Sequence, residues 1–247
     1  MATVKEIYNF IDTIAPFSTQ EEWDNSGLLV GNENKVVNKI LFALDITSDV
    51  VNRAVECKAD LIITHHPIIF KPVTKVLSDS LIYKLIENGI SIISAHTNYD
   101  KAIDGVNDIL CNTINASKYE KVDGTCMNVA YLNKDIHIDD FALYLRGKLG
   151  GVVRYNSLDK KIRKIAVCSG SGSDYLSLAK DMNCDALLTG DASHHAFLDA
   201  IEMGIGLLAC GHYETENIAI KPLAERVLNE FMVDCVIVNQ ITPIITI

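Results

Sequence analysis

The amino-acid sequence predicts an α/β fold of two domains, each a β-sheet flanked by helices. Three features point there: a length of 247 residues, short apolar runs alternating with helical patterns, and one polar stretch, Asn115–Gly124, between two such series. The chain is expected to open with a helix over Val4–Ile14, followed by a loop around Pro16–Ser26 that holds the only tryptophan, Trp23. Strands are expected at Lys39–Leu44, Asp60–Thr64 and Ile90–Ala95, with helices at Asp49–Cys57, Ser80–Glu87 and Gly105–Thr113. This strand-helix order implies a mainly parallel sheet.

The second series reads as strands at Met127–Leu132, Gly151–Arg154, Lys164–Cys168, Ala186–Thr189 and Gly206–Ala209, with helices at Asp139–Lys148, Asp174–Asp181 and His194–Met203. A last helix, Glu214–Asn229, precedes a strand at Val233–Val238. The polar stretch separates residues 1–125 from 126–209, and residues 210–247 are expected to return to the first domain. The result is two similar layers sharing a cleft.

Composition narrows the function. Apolar residues make up 49% of the chain and charged residues 22%, a balance that supports a packed core. With 22 basic and 32 acidic residues the formal charge is −10, which disfavours nucleic acid and anionic membrane surfaces as partners and leaves a small-molecule substrate. No apolar run approaches the roughly 20 residues of a membrane span. The opening residues lack the basic, apolar, small-residue order of a signal peptide. The 7 cysteines are scattered and never spaced C-x-x-C, which fits a reducing, cytoplasmic location.

Chemistry gathers where strands end. In open α/β sheets the reactive crevice lies beyond the carboxyl ends of the strands. Here Asp60–Thr64 runs into His65-His66-Pro67, Ile90–Ala95 into His96-Thr97-Asn98-Tyr99-Asp100, and Gly206–Ala209 into Cys210-Gly211-His212. Neighbouring residues on a strand face opposite ways, but Pro67 breaks the ladder, so His65 and His66 can turn toward one centre. His212 and Glu216, four apart, share a face if a helix starts there. Imidazole with carboxylate suits zinc, iron or manganese, and carboxylates can bridge two ions in a hydrolytic site. Any one pair alone reads more simply as a polar strand end; three such ends in one crevice favour metal, because unpaired buried imidazoles and carboxylates are costly.

Four segments, Trp23-Asp24-Asn25-Ser26-Gly27-Leu28, Thr64-His65-His66-Pro67, His96-Thr97-Asn98-Tyr99-Asp100 and Gly211-His212-Tyr213-Glu214-Thr215-Glu216, resemble the Nif-three-like family, the GTP cyclohydrolase I type 2 homologs, nearly end to end. The resemblance implies two interlocked α/β domains with a dinuclear metal site in the cleft. It implies two divalent ions per chain (zinc, iron or manganese) held by His65, His66, Asp100, His212 and Glu216, and a toroidal homohexamer. Some members carry a large inserted domain, for which 247 residues leave no room.

Other residues are weaker candidates. His96 is expected to orient a ligand or contact substrate rather than bind metal. His194 and His195 either line the cleft and move protons or are surface and helix-capping residues. Ser169-Gly170-Ser171-Gly172-Ser173 reads as a tight turn with a serine cap rather than a phosphate cradle, since it lacks a P-loop lysine. Trp23 and the adjoining Asp24–Gly27 are expected to pin the loop by packing. No side chain stands out as the catalytic group; water acidified by the ions is the expected nucleophile. The leading expectation is a dinuclear-metal-dependent hydrolase acting on a nucleotide or cyclic amidine, and the alternative is a non-enzymatic metal-binding or metal-delivering scaffold.

Overall fold

A computed structural model describes residues 2–245; Met1, Thr246 and Ile247, which the expected domain ranges include, lie outside the described residues. The chain forms two compact units. One takes the residues through Ile103 together with Ile220–Ile241, and the other takes Asp104–Ala219 and the tail from Thr242. The division therefore falls before the polar stretch, not within it. Asn115–Gly124 contains a strand, Lys118–Lys121, paired antiparallel with Asn128–His137 in the second unit. Its polarity is that of a sheet edge, where charged residues discourage further strand pairing, and Ala116 and Tyr119 still pack on the core of that unit.

The first unit is built on a five-stranded sheet in the order Asp234–Ile237, Lys39–Ala43, Leu61–Thr64, Ser91–Ser94, Gly27–Val30. The first four run parallel and Gly27–Val30 is antiparallel to Ser91–Ser94. Leu61–Thr64 and Ser91–Ser94 are buried along their whole length, as the continuous apolar runs of a covered parallel sheet require. Each isoleucine or leucine buried there contributes about 1.5–3 kcal/mol. The opening helix spans Val4–Ile14 as expected; Thr3 and Glu6 form a reciprocal capping box, and Val4, Ile7 and Ile11 supply the buried stripe. Thr47 and Ser80 cap helices Ser48–Glu56 and Leu81–Glu87 through side-chain oxygens.

The second unit has a six-stranded mixed sheet in the order Lys118–Lys121, Asn128–His137, Lys161–Cys168, Ala186–Thr189, Gly206–Ala209, Arg154–Tyr155. Its three parallel strands, Lys161–Cys168, Ala186–Thr189 and Gly206–Ala209, are flanked on both sides by antiparallel ones. The strand expected at Gly151–Arg154 begins only at Arg154 because Gly150 and Gly151 both take positive φ. The long helix expected at Glu214–Asn229 is three pieces: His212–Glu216, a 3-10 turn Asn217–Ala219 and Ile220–Glu230. Pro222 explains the break, since proline is accepted in a first turn but cannot donate back to the turn before it. Ser173 opens a 3-10 turn with no side-chain cap, so the expected serine cap is not formed. No helix among the described residues is long and apolar enough to cross a membrane.

Candidate metal centre

In the first unit the strand ends deliver three imidazoles to one place. His65 comes directly after Thr64 and is 1% exposed; its Nδ1 lies 2.8 Å from the Ala95 carbonyl oxygen. A carbonyl can only accept, so this contact places the proton on Nδ1 and the lone pair on Nε2. His66 is turned by the break at Pro67: its backbone N–H donates to Leu44 O, and its Nδ1 stands 2.7 Å from Asp45 Oδ1. His96 Nδ1 stands 2.8 Å from Asp24 Oδ1. Ring centroids are 5.1 Å apart for His65–His66, 5.1 Å for His65–His96 and 5.4 Å for His66–His96. The three rings offer ligand atoms within 4.8 Å of one another, a group able to hold a metal ion. His96, expected to support from outside, therefore joins His65 and His66 directly.

Asp100 lies in the short helix Thr97–Lys101, buried, with its N–H donated to His96 O and its Oδ1 3.7 Å from His65 Nε2. The loop before Gly27 is drawn in by Asp24, whose carboxylate accepts from Thr97 N and Oγ1, Asn25 N and Ser26 Oγ besides His96. Burial alone would raise the pKa of Asp24. The hydrogen bond and charge of His96, with the bonds from Thr97 and Asn25, outweigh it and hold the carboxyl well below the usual carboxylate range. Trp23 departs from expectation. It is 61% exposed, stacked at 6.4 Å on Phe70 and edge-on to His96, so it does not serve the core.

The second unit repeats the device with one imidazole. Gly211, at φ +93°, turns the chain from Gly206–Ala209 into the helix His212–Glu216. His212 Nδ1 is 2.7 Å from Asp191 Oδ2, and its Nε2 is 3.0 Å from Glu216 Oε2. Glu216 is 3% exposed and sits where a side chain at Gly170 would be: a Cβ there would come within 2.1 Å of Glu216 Oε1. Gly170 N donates to Thr215 Oγ1 and Gly172 N to Thr189 Oγ1, so the glycine-rich turn is occupied in shaping this pair. His194 and His195 begin the helix His194–Met203, both exposed, with Ser193 as the cap.

Sequence reasoning missed Asp24, Asp45 and Asp191 as partners of imidazoles. Two of them stand just past the carboxyl end of a strand, the same signal that marks the histidines: Lys39–Ala43 runs into Leu44-Asp45 and Ala186–Thr189 into Gly190-Asp191. Asp24 lies in a loop, where its place beside Trp23 in the family motif is the only mark it carries.

Fold and site together define an α/β protein of two sheet-built units, bearing imidazole–carboxylate sets of the kind that ligate divalent cations. Residues 2–243 match the family described as Duf34/NIF3 (NGG1p interacting factor 3). A Clostridium perfringens protein named GTP cyclohydrolase 1 type 2 homolog is 35% identical over 91% of this chain and 90% of its own. A Helicobacter pylori protein named GTP cyclohydrolase 1 type 2 is 35% identical over 88% of each. Among solved structures, a hypothetical protein of Staphylococcus aureus superposes with a TM-score of 0.92 at 28% identity over 99% of both chains. The reduced form of HcgD from Methanocaldococcus jannaschii gives 0.85 at 29% identity, over 97% of this chain and 98% of its own. This chain belongs to the Duf34/NIF3 family.

Proposed function

We propose that the protein is a dinuclear-metal-dependent hydrolase in which His65, His66, Asp100, His212 and Glu216 hold two divalent ions, zinc, iron or manganese. The observation that carries this reading is the orientation of the imidazoles: His65, His66, His96 and His212 each engage an oxygen through Nδ1. That arrangement makes Nε2 the electron-pair atom of each ring whenever the ring carries a single proton, as metal-binding histidines require. The donor set of imidazole nitrogens and carboxylates fits those metals.

Bound ions supply Lewis acidity, which polarises a substrate and lets water lose a proton near neutral pH. The chain's own residues do the rest. Asp45 and Asp191 hold the proton on Nδ1 of His66 and His212, and Ala95 O does the same for His65. Asp24 fixes His96, which is free to contact substrate or to share in metal binding. The names of the relatives favour a nucleotide or cyclic amidine as substrate. The same reading carries the interlocked domains, the toroidal homohexamer and the cytoplasmic location.

The test is elemental analysis of purified protein beside His66→Ala and Glu216→Ala, with folding checked by circular dichroism and turnover measured on nucleotides and cyclic amides. About two ions per chain in wild type, lost from both folded variants, is the expected result. Stoichiometry near zero after reconstitution, unchanged in the variants, refutes the metal assignment. Full metal with no turnover on any such substrate refutes the hydrolase and leaves a metal-binding scaffold.

A further inference from the structure

Beside the three imidazoles lie two aromatic rings that the core does not use. Trp23 is 61% exposed and Phe70 46% exposed, yet the two are nearly parallel, 12° apart in plane with centroids at 6.4 Å. Both meet His96 edge-on, at 5.9 Å and 74° for Trp23 and at 5.5 Å and 83° for Phe70. Exposed rings on loose loops would be ordinary surface. These loops are tied down. Asp24 and Ser26, on either side of Asn25, are anchored by His96 Nδ1 and by Gln20 Oε1, and Asn25 Nδ2 donates to Ile69 O, which links the two aromatic segments to each other. Glu21, on the other side of Trp23, donates its N–H to Thr97 Oγ1 and pairs with Lys101 at 2.8 Å.

We propose that Trp23 and Phe70 form a stacking platform for a flat nitrogen heterocycle, such as a nucleobase or pyridine ring, and so select the substrate of the imidazole cluster. An aromatic face binds any planar π-system, and rings fixed in advance lose little entropy when they do so. The neighbours of the platform explain why the ligand should be a heterocycle and not a hydrocarbon. The His96 ring, which both platform rings meet edge-on and which Asp24 holds through Nδ1, sets a polar group beside an edge bearing ring nitrogens, whereas an alkyl group has nothing polar to offer it. The platform rests on the hydrolase reading only for what happens to the ring after it binds.

Because Trp23 is the only tryptophan in the chain, its fluorescence reports the platform directly. Full-length protein, metal-loaded and metal-stripped, is titrated with GTP, adenosine and nicotinamide, and with inorganic triphosphate, ribose 5-phosphate and cyclohexanol as non-aromatic probes. Saturable quenching by at least one heterocycle and by none of the other probes is expected. Phe70→Leu should weaken that binding about tenfold or more, the scale of one aromatic stack. By calorimetry Trp23→Leu should lose as much and Trp23→Phe should keep most of the affinity. Equal response to aromatic and non-aromatic probes, or an unchanged Kd in both leucine variants, overturns the platform. So does a Trp23→Leu variant that dissociates an assembly in sedimentation without altering probe binding, which would make the rings an interchain contact. Heterocycle binding without turnover under any metal defeats the hydrolase and leaves the platform standing. Turnover with KM unmoved in both leucine variants does the reverse.

Discussion

The two units carry the same scaffold and furnish it differently. Each has three neighbouring parallel strands, Lys39–Ala43, Leu61–Thr64 and Ser91–Ser94 in one and Lys161–Cys168, Ala186–Thr189 and Gly206–Ala209 in the other. Beside the third strand lies an antiparallel one, Gly27–Val30 or Arg154–Tyr155. After the third strand comes a histidine with an acid four residues on, His96 and Asp100 or His212 and Glu216, at a helix of five residues that His96 caps from just outside and His212 opens. An aspartate holds Nδ1 of each histidine, Asp24 or Asp191. The difference lies at the middle strand, which ends in His65-His66 in the first unit and in Gly190-Asp191 in the second. One unit thus gathers imidazoles. The other clears space with glycine so that a carboxylate and one imidazole can meet. The strand ends therefore work as interchangeable sockets, and the residue placed in each decides which polar groups the unit presents there.

The largest effects should come from the orienting carboxylates. Asp45→Ala and Asp191→Ala each remove the acceptor from one imidazole Nδ1 and should lower metal affinity about 10- to 100-fold, measured by competition with a chelator. If only one of them does so, the two units do not contribute alike. Gly170→Ala should come next. The new Cβ would press on Glu216 at a backbone position with φ +58°, so about 1–3 kcal/mol of stability should be lost in denaturant unfolding, together with metal affinity. Ala at Gly204, which also has positive φ but nothing within 4 Å of its added Cβ, should cost stability by backbone strain alone and leave metal content intact.

Asp24 gives a pH test of the first unit. Its carboxyl is held below the ordinary range in the fold, so it stabilises the fold at neutral pH, and this contribution is lost as pH falls below about 4. Asp24→Asn should be less stable at pH 7 by about 1–3 kcal/mol and should converge toward wild type in acid. A constant difference across the acid range would show that the charge of Asp24 is not what anchors the loop. The smallest effect is expected at Cys210, which precedes Gly211 where the first unit has Ala95 before His96. Burial pushes the Cys210 and Cys111 thiols up to about 12, so both should resist alkylation until the protein unfolds, whereas half-buried Cys57 and Cys126 should react first. Cys210→Ala should change stability by about 1 kcal/mol and leave the metal content unaltered.

Much of this is legible in the sequence, for physical reasons that differ by region. Ala186–Thr189 and Gly206–Ala209 can be read to the residue because fully buried strands are short apolar runs closed off by polar or glycine residues, Asp185 and Gly190 around one and Gly204 and Gly211 around the other. The charged edge strand Lys118–Lys121 looks like a junction because hydrogen bonding to one neighbour leaves no apolar pattern. The grouping of His65 with His66 comes from Pro67, and the pairing of His212 with Glu216 from helical spacing. Two things have no local signal. That His96 closes on His65 and His66 depends on parallel neighbouring strands, Leu61–Thr64 and Ser91–Ser94, ending level with one another. That Trp23 faces outward depends on Asp24, whose bonds reach across more than 70 positions to His96 and Thr97.

Those bonds also set how the surface around the site breathes. Residues 20–26 contain no helix or strand beyond a turn, yet the N–H groups of Glu21, Asp24, Asn25 and Ser26 are all taken, by Thr97 Oγ1, Glu21 O, Asp24 Oδ1 and Gln20 Oε1. A loop whose amides are engaged in this way exchanges its hydrogens with solvent slowly, on the clock of the sheet to which it is tied. In a deuterium-labelling experiment it would score with the interior of the first unit, although Trp23 at its centre stands in water.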